Sequence, residues 1–310
     1  MENQETLGIT DLFMLLVTLI WAINFTFVKI ALAEFSPLAF NGIRMAFASI
    51  ILVLVLFITK QGLGVPKKDI GKLVVLGIIG NTVYQLLFIH GISLTTASNT
   101  SIIMAMTPAS VALLSLLFKH EKIHWAAWFG IALSFVGFYL VITKRPGSFV
   151  FSWENLRGDI MILFGNLTWA VYTVFSKPLL GRITPLKWSS LTLAVGTIFY
   201  LPFCVPAFSR QDFGQISFKA WAMLAFSGIF ALAVSYVVWY ASVKRVGNSK
   251  TVIYGNVLPI FTVIFAYIFI AERIGFWQAV GALIILAGVY LTRSGYRFFS
   301  AWGNRRRSDI

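Results

Sequence analysis

The chain has 310 residues, of which 58% are hydrophobic and only 12% are charged, and its mean hydropathy is +0.84. Soluble domains contain roughly 45–50% apolar and about 25% charged residues, so this composition excludes a soluble globular protein. The formal net charge of +14 needs a separate explanation, either a membrane surface or an anionic partner.

Ten apolar stretches follow one another along the chain, each close to the roughly 20 residues that cross a bilayer. The first is Leu12–Val28, and the second begins near Leu38 and carries Arg44 inside it. The uncharged runs of the second to tenth spans are Met45–Thr59, Leu73–Gly91, Thr100–Phe118, Trp125–Thr143, Ile160–Ser176, Trp188–Ser209, Ala220–Val243, Thr251–Ala271 and Ile274–Thr292. The short loops between them leave no room for a separate soluble domain.

The basic residues are concentrated on one side of the predicted membrane. With a cytoplasmic N-terminus, the cytoplasmic segments hold 17 of the 25 Lys and Arg residues and the opposite side holds 7. The positive-inside rule therefore predicts that both termini are cytoplasmic. The same asymmetry accounts for most of the net charge, so the expected partner is the lipid bilayer and not a nucleic acid.

The first five spans are echoed by the last five. Pairs at an offset of 148 residues are Trp21 and Trp169, Lys29 and Lys177, and Pro37 and Pro185. Pairs at an offset of 151 residues are Gly77 and Gly228, Pro108 and Pro259, Gly130 and Gly281, and Gly137 and Gly288. Each copy holds five spans, an odd number, so the second copy must be inverted in the membrane. Inverted repeats around a site near the midplane are typical of secondary transporters.

In their order and spacing, these motifs resemble the EamA type of the drug/metabolite transporter superfamily. The matching residues are Asp11, Trp21-Ala22, Lys29 and Pro37, then Gly158-Asp159, Trp169-Ala170, Lys177 and Pro185, and at the ends of the copies Pro108, Glu121, Gly130, Tyr139, Pro259, Glu272, Gly281 and Tyr290. The resemblance covers residues 11 to 293. It implies a ten-helix inverted-repeat fold with a central cavity, and export of small metabolites across a bacterial inner membrane.

The resemblance also sets the expected domains and shows one departure. The first repeat is predicted at 11–143, the second at 159–292, and a basic cytoplasmic tail at 293–310. Members of this family often carry a basic residue soon after the Pro-Leu pair of each copy. Arg44 fits this pattern, but the corresponding stretch Leu191–Leu193 has no basic residue.

Polar and aromatic residues inside the spans are the candidates for substrate binding, because polar groups in a membrane usually face a cavity or a partner. Helical periodicity places those of the third span on one face, and those of the eighth span at equivalent positions. The predicted substrate-binding residues are Trp21, Asn24, Asn81, Tyr84, Gln85, Trp169, Tyr172, Tyr236 and Trp239. The alternatives are hydrogen bonds between helices and, for the tryptophans, an aromatic belt at the membrane surface.

Prolines and charges near the spans have two readings each. Pro108 and Pro259 are predicted as hinges of the fourth and ninth spans, although a static bend is the alternative. Lys29 and Lys177 either reach the headgroups or act as gates. Arg44 either reaches the headgroups or pairs with a substrate anion. Glu121 and Glu272 are expected to be structural, through the neighbouring Lys122 and Arg273.

Several absences bear on function. No Asp or Glu lies deep in a predicted span, which favours facilitated efflux or exchange over coupling through a buried carboxylate. No phosphate-binding loop, metal-ligand cluster or catalytic motif is present, so no enzyme activity, catalytic residue, metal or cofactor is expected. The small-residue faces of the fifth and tenth spans support the bundle or form a homodimer contact.

The leading hypothesis is therefore an exporter of small metabolites that works by alternating access. Amino acids with apolar or aromatic side chains are the first expected substrates, because aromatic residues with few fixed charges suit a zwitterion. An organic-cation or drug efflux carrier, held by cation–π contacts, is the alternative substrate class. A membrane-embedded sensor or assembly subunit that transports nothing is the alternative function.

Overall fold

The computed structural model describes residues 8–118, 125–143 and 153–291, which form helices and turns without any β-strand. Eight helices in this part of the chain are long and apolar enough to cross a membrane, and two shorter apolar helices complete a set of ten. The predicted all-α, ten-helix fold is confirmed. Glu121, Lys122 and the basic tail 293–310 lie outside the described residues.

The ten helices are numbered here in chain order. They are α1 (Ile9–Ala31), α2 (Pro37–Ile58), α3 (Lys67–Leu94), α4 (Ala97–Met104 and Thr107–Leu117), α5 (Trp125–Thr143), α6 (Trp153–Ser176), α7 (Pro185–Arg210), α8 (Phe218–Val246), α9 (Val252–Ile270) and α10 (Phe276–Leu291). Helices α2 and α7 both begin with proline, after Ser36 and Thr184. Proline suits this position because the first helical N–H has no partner within the helix, which explains the repeated proline.

Helices α2 and α7 occupy equivalent places in the two repeats and pack against each other in opposite directions. The Cys204 thiol lies 3.3 Å from the Leu38 carbonyl oxygen, and the Ser190 hydroxyl lies 3.2 Å from that of Leu52. Between these contacts, the hydroxyls of Ser49 and Thr197 are 2.8 Å apart. These two residues are related by the offset of 148, so a pseudo-two-fold axis passes between them. The repeats are therefore inverted.

Helices α5 and α10 cross through the glycines that the sequence repeats. A Cβ atom placed on Gly137 would lie 2.6 Å from the Gly281 carbonyl oxygen, and one on Gly288 would lie 2.5 Å from that of Gly130. Small residues permit this close approach of two backbones. These faces therefore support the bundle within one chain, and the homodimer through α5 and α10, which stays a prediction, would need other faces.

Helices α3 and α6 are in backbone contact at Gly158, which suggests a first test of the packing. A Cβ atom on Gly158 would lie 2.8 Å from both the Gly91 carbonyl oxygen and the Thr95 nitrogen. We expect Gly158→Ala to lower the apparent melting temperature by several degrees, because overpacking of a close backbone contact costs about 1–3 kcal/mol. Gly165→Ala in the same helix is the matched control, since its nearest neighbour would be 3.6 Å away. Equal melting temperatures for the two variants would contradict this packing.

Candidate functional site

Two π-helical turns shape the centre of the bundle. They are Ile78–Val83 in α3 and Ser227–Val234 in α8, at equivalent places in the two repeats. A π turn holds more residues than the 3.6 of an α turn, so it changes which side chains share a face and often occurs at functional sites. Tyr84-Gln85 and Ser235-Tyr236 follow these turns directly.

A narrow cavity of about 50 Å³ lies beside these turns. Its described lining residues come from seven helices and include none from α5, α7 or α10. They are Trp21, Asn24, Phe25, Arg44, Tyr84, Gln85, Phe88, Met104, Thr107, Trp169, Ala231, Leu232, Tyr236, Trp239, Val252, Gly255 and Leu258. Seven of the nine predicted binding residues are thus brought together from α1, α3, α6 and α8.

Asn81 and Tyr172 are the two predicted residues that do not line this cavity. Asn81 packs against α7, where a Cβ atom on Gly196 would lie only 2.3 Å from the Asn81 Cβ. The Tyr172 hydroxyl is 2.5 Å from that of Thr192, also in α7. Asn81 belongs to the π turn, so the 3.6-residue spacing that placed it on the face of Tyr84 does not apply. Both residues make contacts between helices.

The tryptophans form the apolar part of the cavity wall. Trp169 is 3% exposed, and its ring centroid lies 5.2 Å from those of Tyr84 and Tyr236, 5.9 Å from Trp239 and 6.1 Å from Trp21. The Trp21 indole donates a hydrogen bond of 2.9 Å to the Ala231 carbonyl oxygen. Rings packed on one another in the interior do not form a membrane-surface belt. They offer a flat, apolar surface with edge and face contacts.

Arg44 is the charged group of this cavity. Its side chain is fully buried, so it does not reach the headgroups. One guanidinium nitrogen donates to the Gln85 side-chain oxygen at 2.6 Å, and another donates to the Ser227 hydroxyl at 2.9 Å. Gln85 in turn donates to the Tyr236 hydroxyl at 3.1 Å. The rings of Phe40 and Phe88 lie 5.7 and 5.8 Å from the guanidinium carbon.

No carboxylate neutralises Arg44 within the described ranges. The described lining of the cavity contains no Asp or Glu, and an ion pair between Arg182 and Asp69 lies outside it. Arg44 is effectively always protonated, and its partners Gln85 and Ser227 are neutral. A buried charge without a counter-ion is costly. The arrangement therefore favours a ligand that brings a negative group to Arg44.

Three buried polar atoms in the cavity residues have no hydrogen-bond partner in the part of the chain that the structure describes. Two are donors, the Nε of Arg44 and the indole nitrogen of Trp239, and the third is an acceptor, the side-chain oxygen of Asn24. Buried polar groups are normally paired, so each such atom needs an explanation. Two donors and one acceptor in one cavity match a ligand with an anionic and a cationic end.

The two predicted hinge prolines follow breaks in their helices. Helix α4 is interrupted at Ala105–Met106, just before Pro108, and α9 begins as a 3-10 helix, Val252–Val257, just before Pro259. Asn166 donates to the Met104 carbonyl oxygen at 3.2 Å, and Thr18 donates to that of Tyr254 at 3.2 Å. Side chains from α6 and α1 thus satisfy backbone freed at the breaks, where residues of both helices line the cavity. A hinge motion at these prolines stays a prediction.

The family of this chain follows from comparison with known proteins. A model of the EamA-like transporter family matches residues 8–143 and 156–294. The chain belongs to the EamA-like transporter family. The two matched segments correspond to the two inverted halves of the helix bundle.

Individual relatives agree with this family. An uncharacterized transporter of Archaeoglobus fulgidus is 32% identical over 286 residues, covering 91% of this chain and 96% of its own length. A probable terminal-alkyne amino-acid exporter of Streptantibioticus cattleyicolor is 25% identical over 281 residues, covering 90% of this chain and 91% of its own length. A solved protein crystal structure with 15% identity has the same fold, with a TM-score of 0.67 over 93% of this chain and 97% of its own.

In this EamA-family protein, charged groups fix the connection between α3 and α4. The Lys29 ammonium donates to the carbonyl oxygens of Ile92, Ser93 and Thr95 at 3.1, 3.3 and 2.7 Å. The Glu272 carboxylate accepts from the first N–H groups of α4, at Ala97 and Ser98, at 3.1 and 2.9 Å. A cation at a helix C-terminus and an anion at an N-terminus both complement the helix dipole. Glu272 is structural as predicted, although its partner is α4.

Two further acidic residues of the EamA repeat hold equivalent positions. Asp159, buried in α6, accepts hydrogen bonds from Thr95 at 2.5 Å and from Asn99 at 3.1 Å, at the start of α4. Asp11 in α1 accepts from the Tyr254 hydroxyl in α9. Asp11 and Asp159 are related by the offset of 148, so each repeat ties its first helix to the discontinuous helix of the other half. Neither carboxylate lines the cavity.

Proposed function

We propose that this transporter exports small metabolites, namely amino acids or related compounds with a free carboxylate, by alternating access between its inverted halves. The observation that carries the proposal is Arg44, a buried cation without a counter-ion in a cavity walled by tryptophans. The substrate carboxylate would bind Arg44 and the indole nitrogen of Trp239, and its apolar body would pack on the rings of Trp21 and Trp169. The amino-acid exporter among the relatives supports this substrate class.

The organic-cation alternative is disfavoured by the same residue. A cation held by the faces of Trp and Tyr would share the cavity with the buried guanidinium of Arg44, and like charges at short range in a low dielectric repel strongly. An amino acid avoids this conflict because its carboxylate lies between its ammonium group and Arg44. The efflux assay described below distinguishes an exporter from a sensor or assembly subunit that transports nothing.

We further propose that transport is driven by the substrate gradient or by exchange. The cavity lining contains no carboxylate that could take up a proton in each cycle. The acidic residues Asp11 and Asp159 are already engaged as acceptors between helices. No catalytic role is proposed for any of these residues, and no cofactor or metal is required by this mechanism.

The test is efflux from proteoliposomes loaded with labelled phenylalanine or leucine. We expect saturable efflux above that of protein-free liposomes, stimulated by the same amino acid outside and unchanged by a protonophore. A labelled alkylamine with the same apolar body is the matched control and should not be exported. Efflux of the amine but not of the amino acid would overturn the proposal, and efflux of neither would favour the non-transporting alternative.

The proposed orientation has both termini in the cytoplasm of a bacterial cell, as the distribution of Lys and Arg predicts. Gly64, between α2 and α3, and Gln215, between α7 and α8, are exposed at opposite ends of the bundle. We expect Gln215→Cys to react with a membrane-impermeant thiol reagent added to intact cells, and Gly64→Cys to react only after permeabilisation. The unchanged chain is the control, since its Cys204 is buried. The reverse pattern would contradict this orientation.

A further inference from the structure

A second cavity lies on the side of the bundle, between the halves of α3 and α6 that face the α2–α3 and α6–α7 connections. Its volume is about 440 Å³. We call it the lateral groove, and its residues are Gly71, Lys72, Val75, Leu76, Ile79, Val171, Phe175, Pro178, Leu179 and Arg182. None of these residues lines the central cavity, so the lateral groove is a separate site.

The lateral groove exists because α3 changes partners along its length. Its second half is in backbone contact with α6 at Gly91, where a Cβ atom would lie 3.0 Å from the Gly158 carbonyl oxygen. Its first half leans on α7, where a Cβ atom on Gly77 would lie 3.0 Å from the Thr192 carbonyl oxygen. The π turn Ile78–Val83 separates the two halves. In its first half, before the π turn, α3 diverges from α6, and each helix is left with an apolar surface that faces the groove.

The second repeat closes the equivalent place with aromatic rings. The repeat offsets relate Val75 to Phe226, Ile79 to Phe230 and Phe175 to Phe27. The ring centroids of Phe27 and Phe226 are 5.1 Å apart, as are those of Phe226 and Phe230. Inverted symmetry alone would make both places alike. The smaller residues Val75 and Ile79 thus keep the lateral groove open between α3 and α6, whereas aromatic rings fill the equivalent place between α8 and α1.

The lateral groove and the equivalent place between α8 and α1 also differ in charge. Arg182 stands at the end of the lateral groove, is 43% exposed and pairs with the buried Asp69 at 3.3 Å, and the exposed Lys72 lies nearby on α3. The equivalent residues in the other repeat are Glu34 and Met223. Glu34 accepts hydrogen bonds from the Ser217 N–H and hydroxyl, which hold its pKa below the usual value and keep it anionic. Two basic side chains thus stand at this place, beside the buried Asp69, whereas the equivalent place has Glu34 with Lys219 near it.

We propose that the lateral groove binds an anionic phospholipid of the cytoplasmic leaflet, with its phosphate at Lys72 and Arg182 and an acyl chain between Val75, Ile79 and Phe175. The proposal rests on the proposed orientation, which places this end in the leaflet that carries anionic lipids, and is independent of the transported substrate. Basic pockets between helices on the cytoplasmic side are suited to anionic headgroups. Apolar helix faces below the headgroup are suited to an acyl chain.

The test is native mass spectrometry of the purified full-length protein with added phosphatidylglycerol or phosphatidylcholine of the same acyl chains. We expect the wild-type protein to retain phosphatidylglycerol preferentially. Val75→Phe with Ile79→Phe copies the residues of the second repeat and should abolish this retention. Lys72→Gln should weaken it about fivefold, since one basic residue near anionic lipid contributes on the order of 1 kcal/mol. Lys219→Gln, an exposed lysine outside the groove, is the matched control and should have no effect.

Melting temperatures of the lipid-free variants verify that each is folded. If the double phenylalanine variant does not fold, the retention of phosphatidylglycerol by Lys72→Gln tests the proposal. Equal retention of the two lipids by the wild-type protein would overturn the proposal. Unchanged retention by both groove variants would also overturn it. Displacement of the lipid by soluble glycerol phosphate at equal concentration would show that the acyl chain contributes nothing, which contradicts a site in the lateral groove.

Discussion

Replacement of Arg44 by methionine is expected to abolish amino-acid binding while leaving the folded protein at least as stable as the wild type. Two charge-assisted hydrogen bonds to a carboxylate contribute about 1.5–3 kcal/mol each, so their loss should weaken binding at least about a hundredfold. Stability should hold or rise because the variant removes a buried charge that no carboxylate neutralises, and apolar replacements of buried charges are often neutral or stabilising. Ligand-dependent shifts of the melting temperature and proteoliposome efflux measure the two effects.

Opposite directions for function and stability distinguish this prediction from a general folding defect. Arg210→Met, at the exposed end of α7, is the matched control and should change neither quantity. Arg44→Lys keeps the charge but loses the forked geometry, so it should bind more weakly than the wild type and better than the methionine variant. A methionine variant that is destabilised by several degrees, with normal affinity in the folded fraction, would make Arg44 a structural residue.

The architecture was predictable because it depends on features that repeat. Ten apolar stretches set the number of helices, and five per copy set the inversion. The glycines at an offset of 151 indicated close packing, and the structure shows Gly137 against Gly281 and Gly288 against Gly130. A two-fold axis between the copies then brings equivalent residues together where helices meet on it, as with Ser49 and Thr197.

The cavity was predictable only as far as ordinary helical periodicity holds. Tyr84, Gln85, Tyr236 and Trp239 lie beyond the π turns and line the cavity. Asn81 lies within a π turn and points towards α7, because the extra residue in the turn shifts its direction. No local sequence motif predicts a π turn, because such a turn is stabilised by tertiary packing. Helical spacing across such a turn therefore assigns the wrong face.

The partners of charged residues were the least predictable feature. Arg44 allowed two readings, since a position one or two turns into a span is compatible with either the headgroups or the interior. Its burial depends on Gln85 and Ser227, which are 41 and 183 residues away in sequence. Glu272 was expected beside Arg273 but binds the start of α4 instead. The offset of 148 between Thr18 and Asn166 is the one sequence signal that could have found the residues bridging the helix breaks.

Replacement of Asn24 by leucine is expected to separate amino acids from simple carboxylic acids. Asn24 is 3% exposed and lines the cavity, and its side-chain oxygen has no hydrogen-bond partner among the described residues. This oxygen can therefore accept a hydrogen bond from the substrate ammonium group. A hydrogen bond to a charged group contributes about 1.5–3 kcal/mol, so Asn24→Leu should weaken phenylalanine binding about ten- to a hundredfold. Binding of 3-phenylpropionate, which has the same ring and carboxylate but no ammonium group, should not change.

The pair of ligands makes this prediction specific to one end of the substrate. Arg44→Met should lose both ligands, because both carry the carboxylate, whereas Asn24→Leu should lose only the amino acid. Asn41→Leu is the control, since Asn41 is buried in α2 but does not line the cavity. Isothermal titration of the three variants with both ligands gives six affinities, which are compared with the two of the wild-type protein. Equal losses for phenylalanine and 3-phenylpropionate in Asn24→Leu would mean that Asn24 shapes the cavity without recognising the ammonium group. Only the carboxylate end of the proposed substrate, at Arg44, would then keep its support.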